Sequence, residues 1–184
     1  ESGMSTGTEL RGSSFHAPTL DMLDEIGITK RMLEVGIKAT TFQYYDREEG
    51  LLAEFDFGLL KDLTAYPFRL HLGQDQLCRI AYEKLMEGSG WEVRFGHHAS
   101  TVITTEDDVR LTTETDNGPQ EFAGRYLIGA DGAASAVRKS LAIEFEGFTW
   151  PEQYLMAQTT HRLQDHGYSN AAYIADPVEW KALF

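Results

Sequence analysis

Asp131 is the residue whose setting first points to chemistry. It sits in Gly129-Ala130-Asp131-Gly132, between the apolar run Tyr126-Leu127-Ile128 and the helix-like stretch 133–141. A carboxylate at the tip of a strand offers acceptor oxygens to sugar or ribityl hydroxyls, and small neighbours let a large polar ligand approach the backbone. The same pattern also serves a turn that binds nothing. In that case Asp131 and Ser135 satisfy backbone N–H groups while Gly129 and Gly132 supply unusual backbone angles. This segment alone leaves both readings open. Arg138, which closes it, can hold a phosphate or pin the helix to the sheet.

Other reactive residue types carry less. Cys78 lies in an apolar helical pattern and reads as a small core residue rather than a nucleophile. His97 and His98 are adjacent in a strand-like stretch, so they point to opposite faces and chelate poorly; no metal site is expected. Tyr44 and Tyr45 could line a pocket, although strand aromatics more often pack. Trp150 and Trp180 read as core or hinge anchors.

The elements that would position these residues alternate along the chain. A helix is expected from about Pro18, with Leu20, Leu23 and Ile26 at helical spacing and Gly27 as its stop. A second, short one ends at Gly36. "TTFQYYD" and "LLAEFDF" read as a hairpin around the polar turn "REEG". The stretch 73–90 is the clearest helix, with Leu77, Ile80, Ala81 and Leu85 in one stripe. "WEVRFG", "ASTVITTE", "DVRLTTET" and "QEFAGRYLIGA" read as an antiparallel run that ends in an apolar strand. "YLMAQTTHRL" and "NAAYIAD" read as two more strands. Interleaved helices and strands followed by a strand-rich tail imply an α/β fold turning into α+β.

The bulk properties exclude several classes. The chain has 184 residues and a formal net charge of -13. Such an acidic surface argues against nucleic acid and anionic membranes as partners. No run of about 18 apolar residues is present, so no spanning helix is expected. The polar first residues lack the apolar core of a secretory leader. One cysteine excludes an internal disulfide and fits a reducing, cytoplasmic location. The last element, "EWKALF", breaks off as it begins, and the first residues have no lead-in, so the chain reads as a fragment.

"YLIGADGAASAVR" resembles the Asp-Gly motif of the flavin-dependent aromatic hydroxylases, the class A flavoprotein monooxygenases of the para-hydroxybenzoate hydroxylase type. The resemblance implies that Asp131, with Gly132 beside it, serves both FAD and the nicotinamide cofactor. "ESGMSTGTELRGSSFHAPTLDMLDEIGI" is similar to the family's segment after its second strand. By that likeness Glu1 takes the adenosine ribose and Arg11 the pyrophosphate, with Gly12 and Ser13 following along the cofactor. "RLHLGQDQLCRIAYEKL" resembles the helix start whose glutamine meets the flavin side chain, here Gln74, with Gln76 a weaker match. Arg138 becomes structural. "FEGFTWPEQYLMAQTT" and "AAYIADPVEWKALF" look like the entry to the family's substrate domain.

The implied architecture is a partial FAD-binding Rossmann-like α/β domain with an antiparallel β insert over 1–147, then the start of a β-rich substrate domain over 148–184. The family's opening Gly-x-Gly-x-x-Gly and its second Gly-Asp motif are not in the sequence. These residues alone are therefore expected to fold poorly or to bind FAD weakly. The implied activity is hydroxylation of a phenolic ring with FAD, NAD(P)H and dioxygen; the catalytic acid or base is not assigned. A homodimer is left open. Two alternatives stand: a halogenase or epoxidase of the same fold, and a non-enzymatic α/β interaction module.

Overall fold

A computed structural model describes residues 1–9 and 12–184. The chain forms two compact units: Glu1–Ser5 with Glu92–Ala157, and Thr6–Trp91 with Gln158–Phe184.

The larger unit is built around two small cores. Helix α1 (Ala17–Asp24) starts with Pro18, whose fixed φ suits a first turn. It ends where Gly27 adopts φ +74°, a left-handed conformation that a side chain would strain. Helix α2 (Thr29–Val35) is tied to α1 by the buried Thr29 hydroxyl, which donates to the Leu20 carbonyl at 2.6 Å. Helix α3 (Gln74–Met86) has Asp75 in its first turn and Lys84 in its last, both matched to the helix dipole. Its expected stripe is the buried one: Ile80 enters the core, with Leu77 and Ala81 packed against it. Cys78, expected inside, is exposed. It neighbours the stripe in sequence but projects about 100° round the helix from Leu77.

These helices cover a three-stranded antiparallel sheet in the order β1 (Ser14–Phe15), β5 (Arg69–His71), β2 (Ile37–Ala39). Leu20, Ile28, Met32, Leu70, Leu72 and Ile80 form the first core. Gly36 is required by close approach. A Cβ there would lie 2.7 Å from Leu70 Cδ1 and 3.0 Å from the Met32 carbonyl.

The second sheet has the order β10 (Lys181–Leu183), β9 (Ala172–Ala175), β3 (Thr41–Asp46), β4 (Gly50–Asp56). Strands β3 and β4 form the expected hairpin, with a bulge at Tyr44/Tyr45. Strand β9 lies parallel to β3, and β10 pairs antiparallel to β9. The buried Gln43 amide is satisfied at both ends: its nitrogen donates to Glu54 and its oxygen accepts the Ser169 N–H, each at 2.6 Å. The Asp176 carboxylate, 1% exposed, accepts the Val178 N–H at 2.9 Å and pairs with Arg47 at 2.9 Å, closing the β9–β10 turn.

The smaller unit carries a meander of β6 (His98–Thr104), β7 (Val109–Glu114) and β8 (Gln120–Gly124). Helix α4 (Ala136–Ser140) packs on β6, where the Ser140 hydroxyl accepts the Val102 N–H at 3.0 Å. Three expected strands are not formed. Residues 91–97 are irregular; the backbone there instead holds the first residues, with Gly96 N–H donating to Gly3 and His97 N–H to Glu1, both at 2.9 Å. Tyr126–Ile128 also lacks strand structure, with Tyr126 and Ile128 more than four-fifths exposed. A strand needs a neighbour to take its N–H and C=O groups, and among the described residues none pairs with this run. Of "YLMAQTTHRL", residues 154–162 are likewise irregular, and Leu163 opens a short helical turn (Leu163–His166).

Candidate functional site

The Asp131 turn is organised by its own carboxylate. One oxygen accepts the Ser135 hydroxyl at 2.5 Å; the other accepts the N–H groups of Ala136 at 2.7 Å and Val137 at 3.1 Å. The Ser135 hydroxyl in turn accepts the Arg138 N–H at 3.0 Å. Asp131 therefore secures the start of α4, as the turn reading requires. The Ser135 hydroxyl and then the Val137 N–H hold its carboxyl below the usual range, so it is an anion at neutral pH. Gly132 has φ +79° and open space where a Cβ would be. Gly129 is crowded: a Cβ would sit 2.9 Å from the Val137 side chain. Arg138 donates to the Ala133 carbonyl at 2.8 Å and lies 4.4 Å from the Phe145 ring centroid, a bracing position.

Glu1 stands elsewhere in the same unit, beside an open concavity of about 340 Å³. Its Oε1 accepts the Gly3 N–H at 2.8 Å, the main cause that lowers its carboxyl pKa. Arg94, His97, Leu111 and Phe122 line the same concavity. The Arg94 guanidinium grips Glu92 at 2.8 and 3.0 Å and lies 4.8 Å from the Phe122 centroid. Sequence reasoning missed these lining residues. The register that pairs Leu111 with Phe122 and Ala99 with Thr113 puts all four on one face, a signal only a correct strand pairing reveals.

In the larger unit the structure joins three predicted positions. Gln74 opens α3, and its N–H donates to the Gly12 carbonyl at 2.8 Å. A Cβ on Gly12 would come within 3.5 Å of Gln74 Oε1, so the glycine leaves the amide uncovered. Ser13 follows, its carbonyl accepting the Leu72 N–H at 2.9 Å. Gln76 turns away to Asp75 and Arg79. Arg11 lies outside the described residues. Within the larger unit, the exposed Gln74 amide and the Ser13 hydroxyl are of the type that suits a polyol chain, and the Gly12 backbone is of the type that suits a close pyrophosphate.

A second polar pair was not anticipated. His71 ends β5, is 7% exposed, and places Nδ1 2.9 Å from the Ser14 hydroxyl oxygen. Burial, first of all, pushes its pKa down to about 4. Its Nε2 and the Nε of Arg69 are buried without a hydrogen-bond partner among the described residues.

Comparison with known proteins places the chain in a family. A family model described as "FAD binding domain" matches residues 1–173. The para-nitrophenol 4-monooxygenase of Pseudomonas sp. strain WBC-3 is 31% identical over 173 residues, covering 94% of this chain and 43% of that protein. The pentachlorophenol 4-monooxygenase of Sphingobium chlorophenolicum is 27% identical, covering 79% of this chain and 27% of that protein. Among solved structures, a p-nitrophenol 4-monooxygenase of Pseudomonas putida DLL-E4 aligns with a TM-score of 0.90 and 26% identity, over 99% of this chain and 46% of that one. The chain thus spans less than half the length of these relatives, and it has their mixed α/β fold. With a match that runs from Glu1 to Tyr173, the chain belongs to the FAD binding domain family.

Proposed function

We propose that the whole protein is an FAD-dependent monooxygenase that hydroxylates a phenolic ring, with NAD(P)H as reductant and dioxygen as co-substrate. The observation that carries the reading is the Gly12–Gln74 cradle: the Gln74 backbone N–H donates to the Gly12 carbonyl at 2.8 Å, which sets the exposed Gln74 side chain beside the bare glycine at the first turn of α3. FAD, when bound, supplies the redox chemistry. The chain's own residues bind and orient it. Glu1 accepts from ribose hydroxyls. Gly12 and Ser13 pass along the pyrophosphate side, and Arg11 adds positive charge there. Gln74 takes the flavin side chain, and Asp131 with Gly132 serves the FAD and the nicotinamide cofactor. In this reading residues 1–147 form the cofactor part and 148–184 open the substrate part. The relatives' names, para-nitrophenol and pentachlorophenol 4-monooxygenase, support a phenolic substrate.

The test is NAD(P)H oxidation by the whole, FAD-loaded protein, with and without phenols. Oxidation that rises on adding a phenol and yields a hydroxylated product is expected. Turnover that requires halide would replace the hydroxylase with a halogenase, and no phenol-dependent turnover would remove the reading.

A further inference from the structure

The four-stranded sheet displays a row of rings that its own unit does not cover. Phe42 contacts Tyr44 and Tyr173 edge-to-face, each with centroids 4.9 Å apart. Tyr44 continues to Phe55 at 5.9 Å, and Tyr173 to Phe184 at 6.1 Å. Tyr44, Phe55 and Phe184 remain 42%, 55% and 51% exposed despite this contact. Aromatic area of this kind is costly to leave in water and marks a ligand or partner surface.

One border of the row is polar, and β5 supplies it. Arg69 and His71 are two residues apart and so share a face of the strand. The Arg69 guanidinium lies 4.7 Å from the Phe42 centroid, and the His71 ring lies 5.4 Å from that of Phe184. Both residues carry a buried nitrogen with no hydrogen-bond partner among the described residues, His71 at Nε2 and Arg69 at Nε. Buried polar atoms are nearly always satisfied in folded proteins; two such atoms on one face of β5, on residues that each border an aromatic ring, point to a ligand that supplies the missing partner.

We propose that His71 is a specificity-determining residue that reads a hydroxyl on an aromatic ring held against Tyr44, Tyr173 and Phe184, with Arg69 attracting the negative charge on that oxygen. The choice of an aromatic ligand rests on the hydroxylase reading above; the orphaned nitrogens and the ring row are independent of it. Burial keeps the imidazole neutral at neutral pH, so Nε2 is free to accept from a phenol or, in the other tautomer, to donate to a phenolate. The half-exposed Phe184 ring packs against the imidazole.

The experiment compares 4-nitrophenol with nitrobenzene, which differ only in the hydroxyl, by equilibrium dialysis on the whole protein. One hydrogen bond to a buried acceptor corresponds to about tenfold in affinity, so 4-nitrophenol is expected to bind about tenfold tighter. His71→Leu should erase that ratio and leave nitrobenzene binding unchanged. Equal binding of the two probes to the wild type, binding of neither, or a ratio that survives His71→Leu would overturn the proposal. Should His71→Leu fail to fold, imidazole 15N NMR of the wild type decides. A His71 Nε2 resonance that moves with 4-nitrophenol and not with nitrobenzene supports the proposal, and one that ignores both overturns it. Flavin content is read in the same samples. Discrimination without flavin would remove the hydroxylase reading alone; flavin without discrimination would remove only the role of His71.

Discussion

Lowering the pH from about 7.5 to about 4.5 should cost the larger unit stability through His71. The imidazole is buried at the end of β5, with its pKa pushed from the ordinary 6.5 down to about 4. Burial is the main cause; interaction with the Ser13 backbone opposes it, and the positive charges of Arg69 and His16 add to it. In this window the unfolded chain binds a proton that the folded chain refuses. Stability is therefore complete above pH 6.5 and falls as pH approaches 4. Each pH unit is worth about 1.4 kcal/mol, so the full penalty at pH 4.5 is about 2.5 kcal/mol. Solvent at the ring's edge reduces this to about 2 kcal/mol. Urea unfolding of the wild type and of His71→Gln at both pH values isolates the effect, because the other titrating groups are common to both. The advantage of the wild type over His71→Gln should shrink by about 2 kcal/mol between pH 7.5 and 4.5. A difference that stays constant with pH would refute the reasoning, and so would one that grows as the pH falls.

The remaining predictions concern packing and capping. Gly36→Ala should destabilise by about 1–3 kcal/mol, read as a lower urea midpoint, because the new methyl meets Leu70 and the Met32 carbonyl with little room to yield. Thr29→Val should cost about 1 kcal/mol by removing the buried bond to the Leu20 carbonyl. Asp131→Ala should fray α4, seen as faster amide exchange at Ala136 and Val137, and should weaken FAD binding as well. Frayed amides with unchanged FAD affinity would confine Asp131 to its turn. Acidification through the carboxylate range should loosen the β9–β10 turn. The Val178 N–H, first of all, depresses the pKa of Asp176, so its stabilising bonds hold above 3.8 and are lost as pH falls below that value.

The local elements were legible and the nonlocal ones were not. α3 could be read because Leu77, Ile80 and Ala81 recur at the helical period and the core takes that stripe. The β3–β4 hairpin could be read because its strands adjoin a short polar turn. The β3–β9 pairing joins Gln43 to Ala172, and nothing local in either strand announces a partner so far along the chain. Tyr126–Ile128 misled for the converse reason: apolar β-formers predict a strand, but a strand exists only where another chain segment takes its hydrogen bonds. The Asp131 turn was visible in its residue types, and the structure shows which atoms the carboxylate holds. His71 was invisible as a site residue. Its orphaned nitrogen emerges only when Ser14, 57 positions earlier, takes the other side of the ring.

The most direct test of the account is an FAD titration of the whole protein, followed by flavin absorbance between 300 and 550 nm and by quenching of flavin fluorescence. The account predicts saturable binding of one FAD per chain, weakened by Gln74→Ala. A colourless protein that takes up no FAD, or one whose FAD affinity ignores Gln74 and Asp131 alike, would contradict it.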